Sequence, residues 1–248
     1  MDIYIYIFLG FLAELIDGTM GMAYGVSCNT FLRSAGISST VSSACIHVSE
    51  IFTTFVSGLS HLKLRNIHKA LFTKLLIPGI IGGVIGAYIL VTAENSVIDI
   101  IIDIYLIIMG IVIINKLFKK QKIKEYGNYT YALGFVGGLT DAMGGGGWGP
   151  IVTSTLLAAG HDIRKTIGTV NSAEFFVTIA ETTAFMVMIK DFNSYKTIIM
   201  GLIIGGVIAA PLGAYLCNKI PAKLMLGIVG TLVIVLNMYK FFQHINIL

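Results

Sequence analysis

Apolar runs and short polar breaks alternate along the whole chain. Six runs reach the roughly 20 residues that a helix needs to cross a bilayer. They are Val41–Leu59, Ala70–Val91, Val97–Leu117, Thr166–Ile189, Tyr195–Cys217 and Ala222–Phe242. Two further runs are interrupted. Ile3–Ile16 stops at Asp17, passes through a glycine- and methionine-rich stretch to Gly25, and resumes over Val26–Leu32. Tyr129–Leu139 stops at Asp141, passes through a run of glycines to Trp148 and Gly149, and resumes over Pro150–Ala159. The pattern predicts an all-α, multi-pass membrane protein with no soluble domain.

The interrupted runs belong to an internal repeat. At an offset of 124 residues, Asp17, Gly21, Gly25, Gly36, Glu50 and Thr54 meet Asp141, Gly145, Gly149, Gly160, Glu174 and Thr178, and Tyr24 meets Trp148. At an offset of 127, Lys63, Asn66 and Lys69 meet Lys190, Asn193 and Lys196. Apolar residues match by chance in any membrane protein; matched Asp, Glu, Asn and Lys do not. The chain therefore divides into a first membrane repeat over 1–118, a lysine-rich cytoplasmic linker over 119–128, and a second membrane repeat over 129–248. Each repeat has four segments and opens with a Gly-broken helix, discontinuous or re-entrant.

Two topologies fit. If the broken segments cross, eight spans make parallel halves, with 12 of the 17 Lys and Arg on one side. If they dip in and return, six spans make inverted halves, with 13 on one side. Both satisfy the positive-inside rule. The intact pieces before the breaks span 11 to 14 residues, too short for a core of about 30 Å. Paired short, glycine-interrupted segments point to a transporter binding site, so the expectation is inverted repeats with both termini outside.

Composition sharpens this picture. Charged residues make up 12% of the chain and hydrophobic ones 56%, against about 25% charged in soluble domains. Lipid, not water, is the expected surroundings, and the cell (plasma or inner) membrane the expected location. The net charge of +4 lies in loops, which argues against nucleic-acid binding. Cys28, Cys45 and Cys217 show no metal-ligand or disulfide spacing, so no metal, cofactor or disulfide framework is expected. No removable signal peptide is expected, because the N-terminus lacks a basic n-region and a cleavage site. Motifs for soluble-type catalysis are absent, and Gly144–Gly149 lacks the Lys-[Ser/Thr] ending of a phosphate loop; an enzyme is not expected.

The breaks carry the candidate chemistry. Irregular backbone at membrane depth is tolerated where it lines a cavity or is buried in protein. Pro150 suits the first position of a helix. A helix starting at each break aims free N–H groups and a partial positive charge at the midplane, an anion site built without lysine or arginine. Gly21, Tyr24, Gly25, Gly145, Gly146, Gly147, Trp148 and Gly149 are its expected walls. Scattered glycines such as Gly82, Gly83, Gly205 and Gly206 are expected to serve close helix packing. Asp17, Asp141, Glu50 and Glu174 are buried-acid candidates for coupling to a proton or cation. The aspartates can equally cap helix ends, and the glutamates can accept structural hydrogen bonds. Glu50 lies on a polar face with Ser42, Ser43, Cys45, His47, Ser49, Thr53 and Thr54; the mated face carries Thr166, Thr169, Asn171, Ser172 and Thr178. Such groups can replace the hydration of an oxyanion, and His47 can add a titratable charge, though Ser and Thr also serve as interhelical glue. Cys28 and Cys45 can donate weakly to a sulfur anion or act as small buried hydrophobes. His61, His68, His161 and His244 fall in loops or tails, where solvation is expected.

Together the paired repeat, the Gly144-to-Pro150 stretch, the polar second segment of each half and the short length resemble the TauE/SafE family, also called the sulfite-exporter or TSUP anion permeases. That resemblance implies a secondary transporter of sulfite, thiosulfate or an organosulfonate such as sulfoacetate, with a small anion and the bilayer as its partners. The first repeat departs from the glycine-rich pattern: Met20, Met22 and Ala23 stand opposite Gly144, Gly146 and Gly147. Two other readings are open: a cation or proton pathway, suggested by the four acids, and a membrane thiol carrier, suggested by Cys28 and Cys45.

Overall fold

The computed structural model describes residues 2–93, 96–115, 127–159, 161–189, 192–216 and 222–245. Most of the lysine-rich linker, and Cys217, lie outside the described residues. The described residues are helical and contain no strand. The N-terminal half folds as α1 (Ile3–Met20), α2 (Tyr24–Ser34), α3 (Ser39–Lys63), α4 (Lys69–Thr92) and α5 (Ser96–Asn115). The C-terminal half folds as α6 (Tyr129–Gly144), a π-helical turn (Trp148–Thr153) running into α7 (Ser154–Ala158), α8 (Ile163–Met188), α9 (Lys196–Leu216, after a 3₁₀ turn at Phe192–Tyr195) and α10 (Ala222–His244).

The breaks are shorter than the sequence pattern implies. Asp17 continues α1 instead of ending it, and the helix runs 18 residues to Met20, about 27 Å. The expectation that this first piece is too short to span the core therefore fails. Helix α6 likewise runs through Asp141 to Gly144. Both helices stop the same way. Gly21 and Gly145 take φ +65° and +59°, and each donates its N–H back to the aspartate carbonyl four residues earlier. An L side chain is strained in that left-handed conformation, and glycine is not. After three residues helix resumes and the chain turns back: Tyr6, near the start of α1, shares an apolar cluster with Cys28 and Leu32 of α2. Leu133, near the start of α6, packs in a cluster with Val152 and Leu156. Ala23 sits at φ +97° in the first turn, where the second repeat has Gly147.

Polarity is inside out. Ser42, Ser43, His47, Ser49, Thr53 and Ser57 of α3 are buried, while Phe8, Phe55, Ile81, Val187 and Tyr215 face outward. That distribution suits lipid surroundings and costs free energy in water. Among the described residues, three stretches are long and apolar enough to cross a bilayer: Ile3–Met20, Lys69–Thr92 and Asn193–Leu216. Helices α3 and α8 have the length, 25 and 26 residues, but carry polar faces. They can afford those faces because they sit at the centre, wrapped by other helices.

Packing exchanges partners between the halves. Helix α1 lies along α9, and α6 along α4; α3 meets α8, and α5 meets α10. Small residues allow the closest of these approaches. A Cβ on Gly82 or Gly138 would strike the backbone carbonyl of Phe135 or Gly79, and one on Gly10 would lie 2.6 Å from the Leu202 carbonyl oxygen. The α3–α8 and α5–α10 pairs each run antiparallel. Along α3 and α8, Ser57 meets Asn171 while His47 meets Glu181. Along α5 and α10, Gly110 abuts Ile234 while Asp103 meets His244.

The loop histidines are not bathed in solvent as expected. His61 is fully buried, 3.1 Å from Asn66 Nδ2, and His161 pairs with the Tyr129 hydroxyl at 3.1 Å. His68 caps α4 through the Leu71 N–H, and His244 Nδ1 lies 2.7 Å from Asp103 Oδ2.

Candidate functional site

The tips of the two hairpins touch backbone to backbone. A Cβ placed on Gly25 would lie 2.6 Å from the Gly145 carbonyl oxygen and 2.6 Å from Gly146 Cα. One placed on Gly149 would lie 2.6 Å from Met22 Cα. Side chains from the first repeat hold the second tip in place. Asn29 Nδ2 donates to the Gly144 carbonyl, Ser43 Oγ donates to Ala142 O at 2.6 Å, and the Tyr105 hydroxyl donates to Gly146 O at 3.2 Å.

The aspartates face the start of the return legs. Asp141 Oδ1 accepts the N–H groups of Gly147 and Trp148 at 2.6 and 3.0 Å. Asp17 Oδ1 accepts the N–H of Tyr24, the mate of Trp148, at 3.4 Å. A carboxylate there meets unpaired N–H groups and the positive end of a helix. These N–H groups are the ones expected to receive an anion. In this conformation the protein's own carboxylates hold them, so an oxyanion has to compete for them.

Behind the tips lies a dense group of acids. Glu14, Asp17, Glu50, Asp141, Glu174 and Glu181 are all buried. On one side Asp17 Oδ2 accepts from Asn171 Nδ2 at 3.4 Å, and Asn171 Nδ2 also donates to Ser57 Oγ at 3.0 Å. On the other, His47 Nε2 lies 3.0 Å from Glu181 Oε2, 3.7 Å from Asp141 Oδ2 and 4.0 Å from Glu50 Oε2. Glu174 is buried on α8, one turn beyond Asn171.

Other expected site residues fall elsewhere. Thr169 accepts the His68 N–H at the start of α4. Trp148 donates its ring N–H to Val170 O at 3.2 Å and packs among Leu71, Leu75 and Val177. Cys28 and Cys45 are buried free thiols in the apolar cluster of Tyr6, Leu32 and Ile46. Sequence reading missed Glu14, Asn29, Tyr105 and Glu181. Glu181 had one available signal: it lies two helical turns beyond Glu174, on the same face of α8.

A family model described as "Sulfite exporter TauE/SafE" matches residues 6–239. The chain is also 37% identical over 241 residues to "Probable membrane transporter protein YtnM" of Bacillus subtilis (strain 168), covering 94% of this chain and 80% of that protein. No solved structure matches the chain.

Proposed function

We propose, from the premise that the chain belongs to the sulfite exporter TauE/SafE family, that this membrane transporter moves a small sulfur-containing anion such as sulfite, thiosulfate or an organosulfonate. The observation that carries the reading is the crossing of the two hairpin tips, each ending in a helix start whose N–H groups lie at the crossing. The anion seats there once the tips part, taking N–H groups that Asp17 and Asp141 now hold. A proton or cation on those carboxylates relieves the competition, which couples anion binding to a positive charge. Glu50 and Glu174 lie on the central helices that both halves share, where the same charge can be handed on. Uptake of labelled sulfite, thiosulfate and sulfoacetate into proteoliposomes tests the reading; no uptake of any sulfur anion sinks it. Glu50→Gln combined with Glu174→Gln is expected to lower uptake at least about 10-fold, as loss of a coupling group does. Unchanged uptake removes the coupling role.

The six buried acids favour a second reading, a cation or proton pathway. Competition settles between them: unlabelled sulfite suppresses uptake in the first reading, and an excess of a second cation does so in the other.

The same geometry supports inverted halves with re-entrant hairpins in the cell membrane. The α3–α8 and α5–α10 pairs each run antiparallel, and both return legs come back toward the level at which their hairpins began. Arg164 and Lys165, exposed at the start of α8, separate the topologies. A single cysteine at Lys165 in a cysteine-free background is expected to be modified only from the side that carries the 119–128 linker. Modification from the other side returns the parallel eight-span arrangement.

A further inference from the structure

The fold builds one constellation twice. Asp17, Asn171 and Ser57 form one copy, and Asp141, His47 and Glu181 form the other; each residue stands 124 positions from its mate. In both copies an aspartate at a hairpin tip meets a side chain from the central helix of the opposite half. That side chain then meets a third residue one helix across, at 3.0 Å in either copy. The first copy is neutral beyond its aspartate, and Asn171 donates to both of its neighbours. The second copy replaces amide and hydroxyl with imidazole and carboxylate, and its hydrogen bonding falls apart. His47 Nε2, Asp141 Oδ2, Glu50 Oε2 and both Glu181 carboxylate oxygens are buried without any hydrogen bond. Exposure of the four side chains is 0% for His47 and Glu181, 1% for Asp141 and 3% for Glu50, so bulk solvent does not reach them.

The direction of each free atom is informative. His47 Nδ1 lies 2.7 Å from the Ser43 carbonyl oxygen, which can only accept. Nδ1 therefore carries a hydrogen, and in the neutral imidazole Nε2 presents its lone pair to the acids. Asp141 shows the same division: Oδ1 is held by two backbone N–H groups, and Oδ2 is left over. One nitrogen held by a carbonyl and the other bare is the support that metal-ligating histidines have. Ligand atoms of His47, Glu50 and Asp141 all lie within 4.8 Å of one another, close enough to share one ion. A ring nitrogen and several carboxylate oxygens buried together need a positive charge between them, and either a proton on Nε2 or a bound cation supplies it.

We propose that His47 Nε2, Glu50 and Asp141 bind one divalent first-row transition cation, with Glu181 as the adjoining carboxylate. The ligand set selects the class. An imidazole with carboxylates suits Mn²⁺, Fe²⁺, Co²⁺ or Zn²⁺; Mg²⁺ and Ca²⁺ prefer all-oxygen sites and Cu⁺ prefers thiolates. The site joins α3 of the first half to α6 of the second, with Glu181 of α8 beside it. The cation's part in transport rests on the anion reading above, because bound at Asp141 it supplies positive charge beside the hairpin tip; its binding does not rest on that reading.

The test uses the full-length protein in detergent, with any affinity tag removed and metal stripped by chelation, titrated with Co²⁺. One Co²⁺ per chain is expected, with visible ligand-field bands of a nitrogen–oxygen site. His47→Asn, which copies the residue of the neutral half, and Glu50→Gln are each expected to weaken binding by at least about 100-fold. Size-exclusion and thermal unfolding confirm that the variants remain folded. Folded wild-type protein that takes up no stoichiometric Co²⁺ overturns the site, as does undiminished affinity in both variants. The two proposals fail separately. Anion uptake in chelator-treated vesicles with no Co²⁺ binding removes the metal site and leaves the transporter reading. Co²⁺ binding with no uptake of any sulfur anion does the reverse.

Discussion

Gly146→Ala is expected to be strongly destabilising. A Cβ on Gly146 would strike the Val26 backbone nitrogen and lie 2.8 Å from Gly25 Cα. Overpacked side chains relieve a clash by rotating, at about 1–3 kcal/mol. Here both sides of the contact are backbone, and both are anchored. Gly145 is pressed against Asn29, and the Gly146 carbonyl is held by Tyr105. Relief requires the hairpins to part, which also breaks the Asn29 and Ser43 bonds to the second tip. The loss should reach at least about 3 kcal/mol, or roughly 6–12 °C in Tm for a chain of this size. Gly58→Ala is the control, because its Cβ would meet Ser172 Oγ at 3.4 Å, an ordinary contact; its expected change stays within about 0.5 kcal/mol. Thermal unfolding in detergent reads both. A Gly146→Ala protein with wild-type Tm would mean that the tips do not touch in the populated state, and the proposed substrate seat would lose its basis.

That contact was half legible in the sequence. The repeat offset marks Gly21 with Gly145 and Gly25 with Gly149 as mates, and mates related by two-fold symmetry can meet at the axis. What the offset hides is where each break begins. Asp17 and Asp141 look like interruptions because charge is costly in an apolar run. The structure keeps both inside their helices, because each carboxylate reaches forward seven residues to the return leg. A side-chain bond across a turn leaves no trace in hydropathy, so α1 read as too short to span. Glu181 was hidden for a related reason. A repeat is recognised by matches, and Glu181 stands opposite Ser57, a mismatch. Positions where the halves differ in charge are the ones such a comparison discards. The polar faces of α3 and α8 were readable as faces, but their pairing with each other at the centre follows from packing alone. The exchange of α1 onto α9 and α6 onto α4 depends likewise on small residues of one half meeting carbonyls of the other, far away in sequence.

Arg33→Met is expected to be nearly as damaging as the glycine change, at a place with no counterpart in the second repeat. Arg33 ends the first return leg and is 3% exposed; its partner Asp103 on α5 is fully buried at 2.6 Å. Its other groups reach Ser39 Oγ at 2.8 Å and Asn237 Oδ1 of α10 at 3.4 Å. The mate of Arg33 is Leu157, so among the described residues the Arg33 tie to the α5–α10 pair has no charged counterpart at the mated position. Methionine fills much of the volume but leaves Asp103 as a buried anion, and such a loss costs about 3–5 kcal/mol. His244 at 2.7 Å still offers Asp103 a partner, which puts the expected cost near the lower end. Removing both charges together, Arg33→Met with Asp103→Leu, leaves no fully buried charge; His244 and Asp99 lose a partner but are 28% and 31% exposed and reach water, so stability should recover to within about 1 kcal/mol of wild type. Unfolding of the two single variants and the double variant gives the coupling directly. Losses that simply add would mean that Arg33 and Asp103 do not act as a pair. If the pair holds, the double variant also divides folding from transport. The tie grips α2 at the end remote from Gly25, so it fixes the end about which the leg must turn for the tips to part. A double variant as stable as wild type but altered in anion uptake would place the tie in the transport cycle; unaltered uptake would confine it to stability.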